Sequence, residues 1–430
     1  MYKKLLLSKN NLSINNLSKT LTKVTLINQF FPPDYAATGQ LLEQLTKLLI
    51  KKNILFLIIT GVYSYANRNV NLNKNKSSKE KYRTIVRLRN SIIETKNVKG
   101  RFLNGLIYSI KVFIKLFKKE NRGDLIIFTS EPPFFVFFIS VIYILFKVPY
   151  IYLVYDLYPD TLVNLNILNG KNFLVRIWFR VNKFVCVNSK NIILLSDLMR
   201  DKFLLNYGKD LRKKISVIPS WADINSIKPL SKKKNKFIKK NNFQGKFVVL
   251  YSGNQGRMHD FYTILKSAKY LKKYNEILFL FIGNGPLNKE IKDFKKLYDL
   301  KNITIMPYQP FNDLPQTLTS ADIAIVSTNK NATSLVAPSK LYGHLAAATP
   351  IALVSSKKSY IKKMIENNNC GKWFNNGDFK SLSRWILELK GNKLLRKKLS
   401  SSSRNYAEQI SDPEFIANKY YNVIVSSITS

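Results

Sequence analysis

The sequence predicts an α/β protein made of two successive doubly wound, Rossmann-like domains facing each other across a cleft. Three observations carry that expectation. Short apolar runs of strand length alternate with longer stretches of helical periodicity. The alternation halts near a basic run, Ser231 to Lys240 (SKKKNKFIKK), which reads as an exposed linker or loop, and restarts at Phe247. A glycine-bearing loop follows the first strand of each half, at the strand ends where open parallel sheets take their ligands. The division expected is an N-terminal domain over 21–220 and a C-terminal domain over 221–404.

Composition bounds the partners. A chain of 430 residues has room for two or three domains of roughly 150 residues each. Hydrophobic residues at 46% suffice for real cores. Lys+Arg is 70 against Asp+Glu at 26, a net charge of +44. Such a balance calls for nucleic acid, an anionic membrane face or phosphorylated substrates, although Lys, Ile and Asn richness is also what coding bias produces. The two cysteines, Cys186 and Cys370, allow neither a disulfide framework nor a metal box and point to a reducing compartment. With only His259 and His344, supply is short for a Ser-His-Asp triad or a multi-histidine metal site. The longest apolar run, Phe134 to Phe146, reaches only about 20 Å as a helix against a hydrocarbon core of about 30 Å, so a buried helix is expected. Residues 1–20 lack a continuous apolar core, so no signal peptide is expected.

Taken in order, Val24 to Asn28 reads as the first strand, FFPPDYAATGQ (30–40) as its loop, and Gln40 to Lys51 as a helix with leucines at 41, 42, 45, 48 and 49. Gly39 stands just before that helix, where a missing side chain lets a ligand approach the backbone or simply lets the chain turn. Ile54 to Ile59 is the second strand, 62–80 a polar loop, and Thr84 to Leu88 a further strand. Arg101 to Glu120 reads as an amphipathic helix. Leu106, Ile107, Ile110, Phe113, Ile114 and Phe117 share one face, and Lys111, Lys115, Lys118 and Lys119 the other. That pattern suits either a helix on an anionic membrane or one packed on a sheet with its lysines in water. Tyr150 to Tyr155 ends in Asp156, a carboxylate at the ligand end of a strand or a turn cap. After Phe247 to Tyr251, Gly253, Gly256, Arg257 and His259 are available to phosphates, and Gly283 and Gly285 follow the next strand. Last comes Leu335 to Pro350 (LVAPSKLYGHLAAATP), where Ser339 caps a helix and Lys340 adds an ammonium to its first turn. An ordinary βαβ unit would show the same pattern. The tail from Leu395 to Ile428 is helical and broken at Asp412-Pro413.

Seven stretches in this order (FFPPDYAATGQ, VYDLYPDT, KISVIPSWAD, VLYSGNQGRMHDF, FLFIGNGP, ADIAIV and PSKLYGHLAAATP) resemble the retaining glycosyltransferases of family 4, which have the GT-B fold. The branch most resembled transfers sugars in capsule, colanic-acid and O-antigen (lipopolysaccharide) biosynthesis. The resemblance implies a final helix, here about 405–430, that crosses back to complete the N-terminal domain. It implies a nucleotide diphosphate sugar as co-substrate, no cofactor and no metal, a saccharide or polyprenyl-linked acceptor, and no nucleic acid. Gly39 and Asp156 would lie at the reaction centre, with Asp34, Thr38 and Tyr155 on the acceptor side. Asn254, Arg257, His259, Gly283, Gly285, Leu335, Val336, Ser339, Lys340 and Gly343 would form the donor side. The chain departs from the family pattern at five of these positions. Asn254 and His259 replace an arginine and a lysine, Leu335 and Gly343 replace two glutamates, and Tyr155 replaces a histidine. These departures leave open an epimerase-like or catalytically impaired relative, and the charge alone leaves open a nucleic-acid-binding protein. The location expected is cytoplasmic, peripheral at the inner face of the plasma membrane.

Overall fold

A computed structural model describes residues 21–34, 36–62, 77–89, 98–333, 335 and 338–429. The N-terminal stretch read for a signal peptide, most of the 62–80 loop and the donor-side Val336 lie outside the described residues.

Two sheets form. The first contains β1 (Thr22–Ile27), β2 (Ile54–Gly61), β3 (Ser78–Lys79), β4 (Arg83–Leu88), β5 (Leu125–Thr129), β6 (Tyr150–Val154), β7 (Asn191–Leu194) and β8 (Ile215–Val217). They are ordered β3-β4-β2-β1-β5-β6-β7-β8, parallel except for the short β3–β4 pair. The second contains β9 (Phe247–Ser252), β10 (Ile277–Ile282), β11 (Ile303–Met306), β12 (Ile323–Ser327), β13 (Ile351–Val354) and β14 (Gly371–Phe374), ordered β11-β10-β9-β12-β13-β14 and wholly parallel. Helices cover both faces of such a sheet, which is why ILFLIITG and ILFLFI are nearly continuous apolar runs with no alternation. In each sheet the strand order reverses beside the first strand, so the ligand crevice falls at β1/β5 and β9/β12.

The helices of the first domain are α1 (Ala37–Ile50), α2 (Val98–Leu116), α3 (Phe135–Phe146), α4 (Asp160–Asn164), α5 (Phe173–Asn188) and α6 (Asp197–Tyr207). Those of the second are α7 (Lys236–Lys240), α8 (Phe261–Tyr270), α9 (Asn288–Leu297), α10 (Leu314–Leu318), α11 (Lys340–Ala346), α12 (Tyr360–Asn367), α13 (Phe379–Gly391) and α14 (Lys393–Ile410). The chain crosses back at Ser411–Asp412, and α15 (Pro413–Thr429) packs Ile416, Ala417, Tyr420 and Ile424 into the first domain's core. The outward crossing is held as well. Trp221 Nε1 donates to Gln44 Oε1 at 2.7 Å, and the Arg404 guanidinium donates to the carbonyls of Ile224, Ile227 and Ala346.

Three expectations need correction. The basic run 231–240 is not an exposed linker. It folds into a 3-10 turn and α7, burying Phe237 and Ile238 in the second core, while Asn235 bonds to Gln316 O and Thr319 Oγ1 and Lys232 pairs with Asp322. On α2 the face turned to the sheet is Asn104, Tyr108, Val112 and Leu116, not the stripe of Ile110, Ile114 and Phe117. Tyr108 goes inward because its hydroxyl reaches Ile59 O at 2.7 Å, a partner that sequence periodicity cannot reveal. Finally, α3 is buried on one face only.

Candidate active site

The carboxyl ends of the two sheets meet. Leu157, beyond β6, donates its N–H to Leu335 O, beyond β12, at 3.4 Å. Leu335 is buried among the first domain's apolar residues, and Met258, beyond β9, packs against the same cluster. The loops that follow β1, β5 and β6 therefore face those that follow β9, β10 and β12.

On the first domain, Ser130 Oγ accepts the N–H groups of both Tyr155 and Asp156 at 3.1 Å, which fixes the turn after β6. Asp156 is half-buried, and that burial pushes its carboxyl up to about 6. Tyr155 is buried, its hydroxyl finds no partner among the described residues, and burial with Tyr420 and Glu131 nearby raises its pKa. It therefore belongs to packing, not to an open acceptor surface. Asp34 is also buried, with Oδ1 accepting from Ala36 N at 3.2 Å, so its carboxylate shapes the turn before α1. Thr38 is half-buried in the first turn of α1. Gly39 lies inside that helix rather than before it. A β-carbon there would come 2.7 Å from Phe30 O, so the glycine admits the chain's own loop.

On the second domain the two glycine loops are knitted together. Gln255 N donates to Asn284 O at 2.9 Å, and Leu287 N to Gln255 O at 3.0 Å. Gly283 has φ +133°, and a β-carbon on it would lie 2.1 Å from Gly253 O. One on Gly285 would lie 2.6 Å from Asn254 Oδ1. These glycines thus allow loop to pack on loop, which holds Gly253 and Asn254 at the sheet edge.

Lys340 crosses this platform. Its Nζ lies 2.5 Å from Tyr251 Oη, 4.0 Å from the centroid of that ring, and 3.4 Å from His259 Nε2. The lysine stem passes Gly253 so closely that a β-carbon there would be 3.4 Å from Cε. Burial pushes the Lys340 ammonium down to about 7. His259 Nδ1 donates to Ser327 O at 2.6 Å, which leaves Nε2 the unprotonated nitrogen. Burial, and then the charge of Lys340, push that imidazole down to about 3. A neutral histidine therefore stands beside a lysine whose charge no carboxylate offsets through a salt bridge among the described residues. Beside His259 opens a hollow of about 570 Å³ lined by Asp260, Glu290, Asn329, Lys330 and Asn376 among others.

The remaining sequence candidates separate. Arg257 is exposed on the loop after β9, where its carbonyl accepts from Asn329 Nδ2 at 2.8 Å. Leu335 serves the contact between domains, so its side chain offers no donor surface. Ser339 has helical backbone angles and makes no side-chain cap bond, contrary to the capping expected. A β-carbon at Gly343 would lie 3.1 Å from Leu318 Cδ1, so the missing side chain serves packing against α10. Sequence reading missed Tyr251, which looks like any core aromatic in a strand. It also missed His344, buried with both ring nitrogens unpartnered among the described residues and pushed down to about 3 by burial and Lys340. Its only signal was its position four residues after Lys340.

Comparison with solved structures gives the architecture its class. Sucrose-phosphate synthase from Thermosynechococcus elongatus superposes with a TM-score of 0.73 at 12% identity, covering 94% of this chain and 98% of that one. Anabaena HepE in complex with UDP-glucose does so with a TM-score of 0.70 at 14% identity, covering 94% and 99%. The fold is GT-B, two Rossmann-like domains facing across a cleft. Residues 232–406 match the family of glycosyl transferases group 1. WbjE of Pseudomonas aeruginosa, named as a glycosyltransferase, is 26% identical over 326 residues, 74% of this chain and 81% of WbjE. WcaI of Escherichia coli K12, named as a colanic acid biosynthesis glycosyl transferase, is 24% identical over 180 residues, 42% of this chain and 43% of WcaI. The chain carries a glycosyl transferase group 1 domain and is a glycosyltransferase.

Proposed function

We propose that the protein moves a sugar from a nucleotide diphosphate sugar to a saccharide or lipid-linked acceptor, with anomeric retention, in cell-surface polysaccharide biosynthesis. The observation that carries the donor half is the half-buried Lys340 ammonium above Gly253, beside a histidine kept neutral and with no salt-bridge partner among the described residues. A leaving diphosphate gains negative charge in the transition state, and a preorganised cation with nearby loop N–H groups stabilises that charge. Exposed Arg257 adds a second cation within reach of the same loops, and the hollow beside His259 gives room for the rest of the donor. This arrangement needs no metal, so chelator is expected to leave the rate unchanged. Asp156, with a carboxyl that titrates near 6, orients the acceptor hydroxyl from the opposite wall. The pathway rests on the colanic acid biosynthesis in WcaI's name, and UDP as the carrier rests on HepE.

A thermal-shift panel of UDP, GDP, ADP and dTDP sugars tests the donor. One nucleotide should raise the melting temperature, and Lys340→Ala should weaken its binding by roughly tenfold to a hundredfold, the range of a charge-assisted contact. No shift with any member, or an unaltered affinity in the variant, removes this reading. Proton NMR of the product's anomeric centre tests retention. Release of altered sugar without transfer would favour the epimerase-like relative.

A further inference from the structure

One face of the first domain has no part in this chemistry. α2, α3 and α5 lie side by side there, joined by the ring pairs Phe113–Phe138 (5.5 Å), Phe117–Phe146 (5.5 Å) and Tyr143–Phe184 (6.3 Å). Among the described residues nothing covers their outer surface. Ile110 is 40% exposed, Ile114 62% and Phe117 48% on α2, with Val141 at 40%, Ile144 at 54% and Leu145 at 54% on α3. Apart from Ser140, α3 is apolar or aromatic throughout, and such a helix is normally covered on every side. None of the three helices contains an Asp or Glu. Cations edge the patch. The Arg122 guanidinium sits 3.8 Å from the Phe146 ring centroid, Lys147 Nζ lies 5.0 Å from that of Tyr143, and Lys111, Arg180 and Lys183 are exposed. In sequence, Glu120 follows α2 and Glu131 precedes α3, each four residues from its helix.

We infer that this face docks on an anionic lipid bilayer. Its isoleucines, leucine and phenylalanine enter the acyl boundary while the flanking Lys and Arg meet headgroup phosphates. A second copy of the chain fits poorly, because pairing would oppose two basic surfaces built on three helices that contain no acid. Among the described residues no helix is long and apolar enough to cross a membrane, so the contact is interfacial. The same helix α2 also packs against the loop beyond β5. A β-carbon on Gly105 of α2 would lie 3.0 Å from Pro132 Cβ, in the loop whose Ser130 fixes the Asp156 turn. Docking thus brings the acceptor wall to the lipid surface. That last step rests on the lipid-linked acceptor proposed above, and the docking itself does not.

The test sediments the full chain at low salt with vesicles of phosphatidylcholine, with and without phosphatidylglycerol. The variant I114E/I144E/L145E is compared with K292Q/K295Q/K296Q, which lowers the net charge equally on a surface of α9. The unaltered chain and the α9 variant should pellet with phosphatidylglycerol vesicles, and the apolar-face variant should lose at least about tenfold in partitioning. The milder pair I144S/L145S reads the same loss should the glutamates perturb the fold. Absence of pelleting, or equal loss in the α9 variant, overturns the proposal. So does a dimer seen by light scattering that the face variant dissolves while pelleting persists. Donor affinity is measured separately in solution. If no nucleotide binds while pelleting follows the apolar face, the donor reading fails and the docking stands.

Discussion

The two lobes share a scaffold but present different exteriors. In both, buried parallel strands lead into loops at their carboxyl ends, and the inner faces of the helices are apolar. Outside, the second lobe carries helices such as α9 (NKEIKDFKKL) and α12 (YIKKMIEN), in which charged residues occupy the outer face. The first lobe carries α2, α3 and α5, with exposed aliphatics and no acid. The requirements of the scaffold end at the inner faces, so an outer face that keeps apolar residues against their hydration cost points to something other than folding.

The sharpest way to break this comparison uses two isoleucines on α3. Ile142 is 0% exposed, so Ile142→Glu buries an unpaired carboxylate and should destabilise by more than about 4 kcal/mol, or abolish folding, by urea denaturation. In the second lobe the loop platform should be nearly as intolerant. Gly283→Ala places a β-carbon on Gly253 O at a positive φ and should cost about 3 kcal/mol, with loss of nucleotide binding. A melting temperature equal to the parent's would show that the loops are not packed as described.

A smaller effect lies in pH. With its ammonium pushed down to about 7, Lys340 is protonated below that value and neutral above it. Donor affinity should therefore be flat below about pH 7 and fall by up to about tenfold per unit above it. Lys340→Arg should hold affinity flat to higher pH, because guanidinium keeps its charge. Calorimetric titration across this range checks both. Least affected should be Ile144→Glu, at a position 54% exposed, with a change within about 0.5 kcal/mol. Two residues from Ile142, it measures how abruptly the scaffold's requirements stop.

Much of the architecture was legible in the chain. Apolar runs such as ILFLIITG and FVVLYS marked strands, glycine loops marked their ligand ends, and Asp412-Pro413 marked a break in the helical tail. Asp156, Arg257 and His259 stand out in the sequence as polar groups at the ligand ends of parallel strands, and Lys340 as an ammonium in a helix's first turn, although a turn cap or an ordinary βαβ unit shows the same pattern. What stayed hidden depended on neighbours that only the fold brings together. Gly39, Gly285 and Gly343 meet Phe30, Asn254 and Leu318, and Tyr108 turns inward for the carbonyl of Ile59.

The sequence by itself determined two doubly wound domains, their order, and the loops that face the cleft, because strand and helix periodicity is a local property of the chain. Only the tertiary structure decided that Lys340 lies against Tyr251 and His259, that Leu335 joins the lobes, and that α2 and α3 turn an apolar side outward. Those facts depend on which surfaces are left after packing, and burial, joined at both histidines by the charge of Lys340, pushes the pKa of all three groups down.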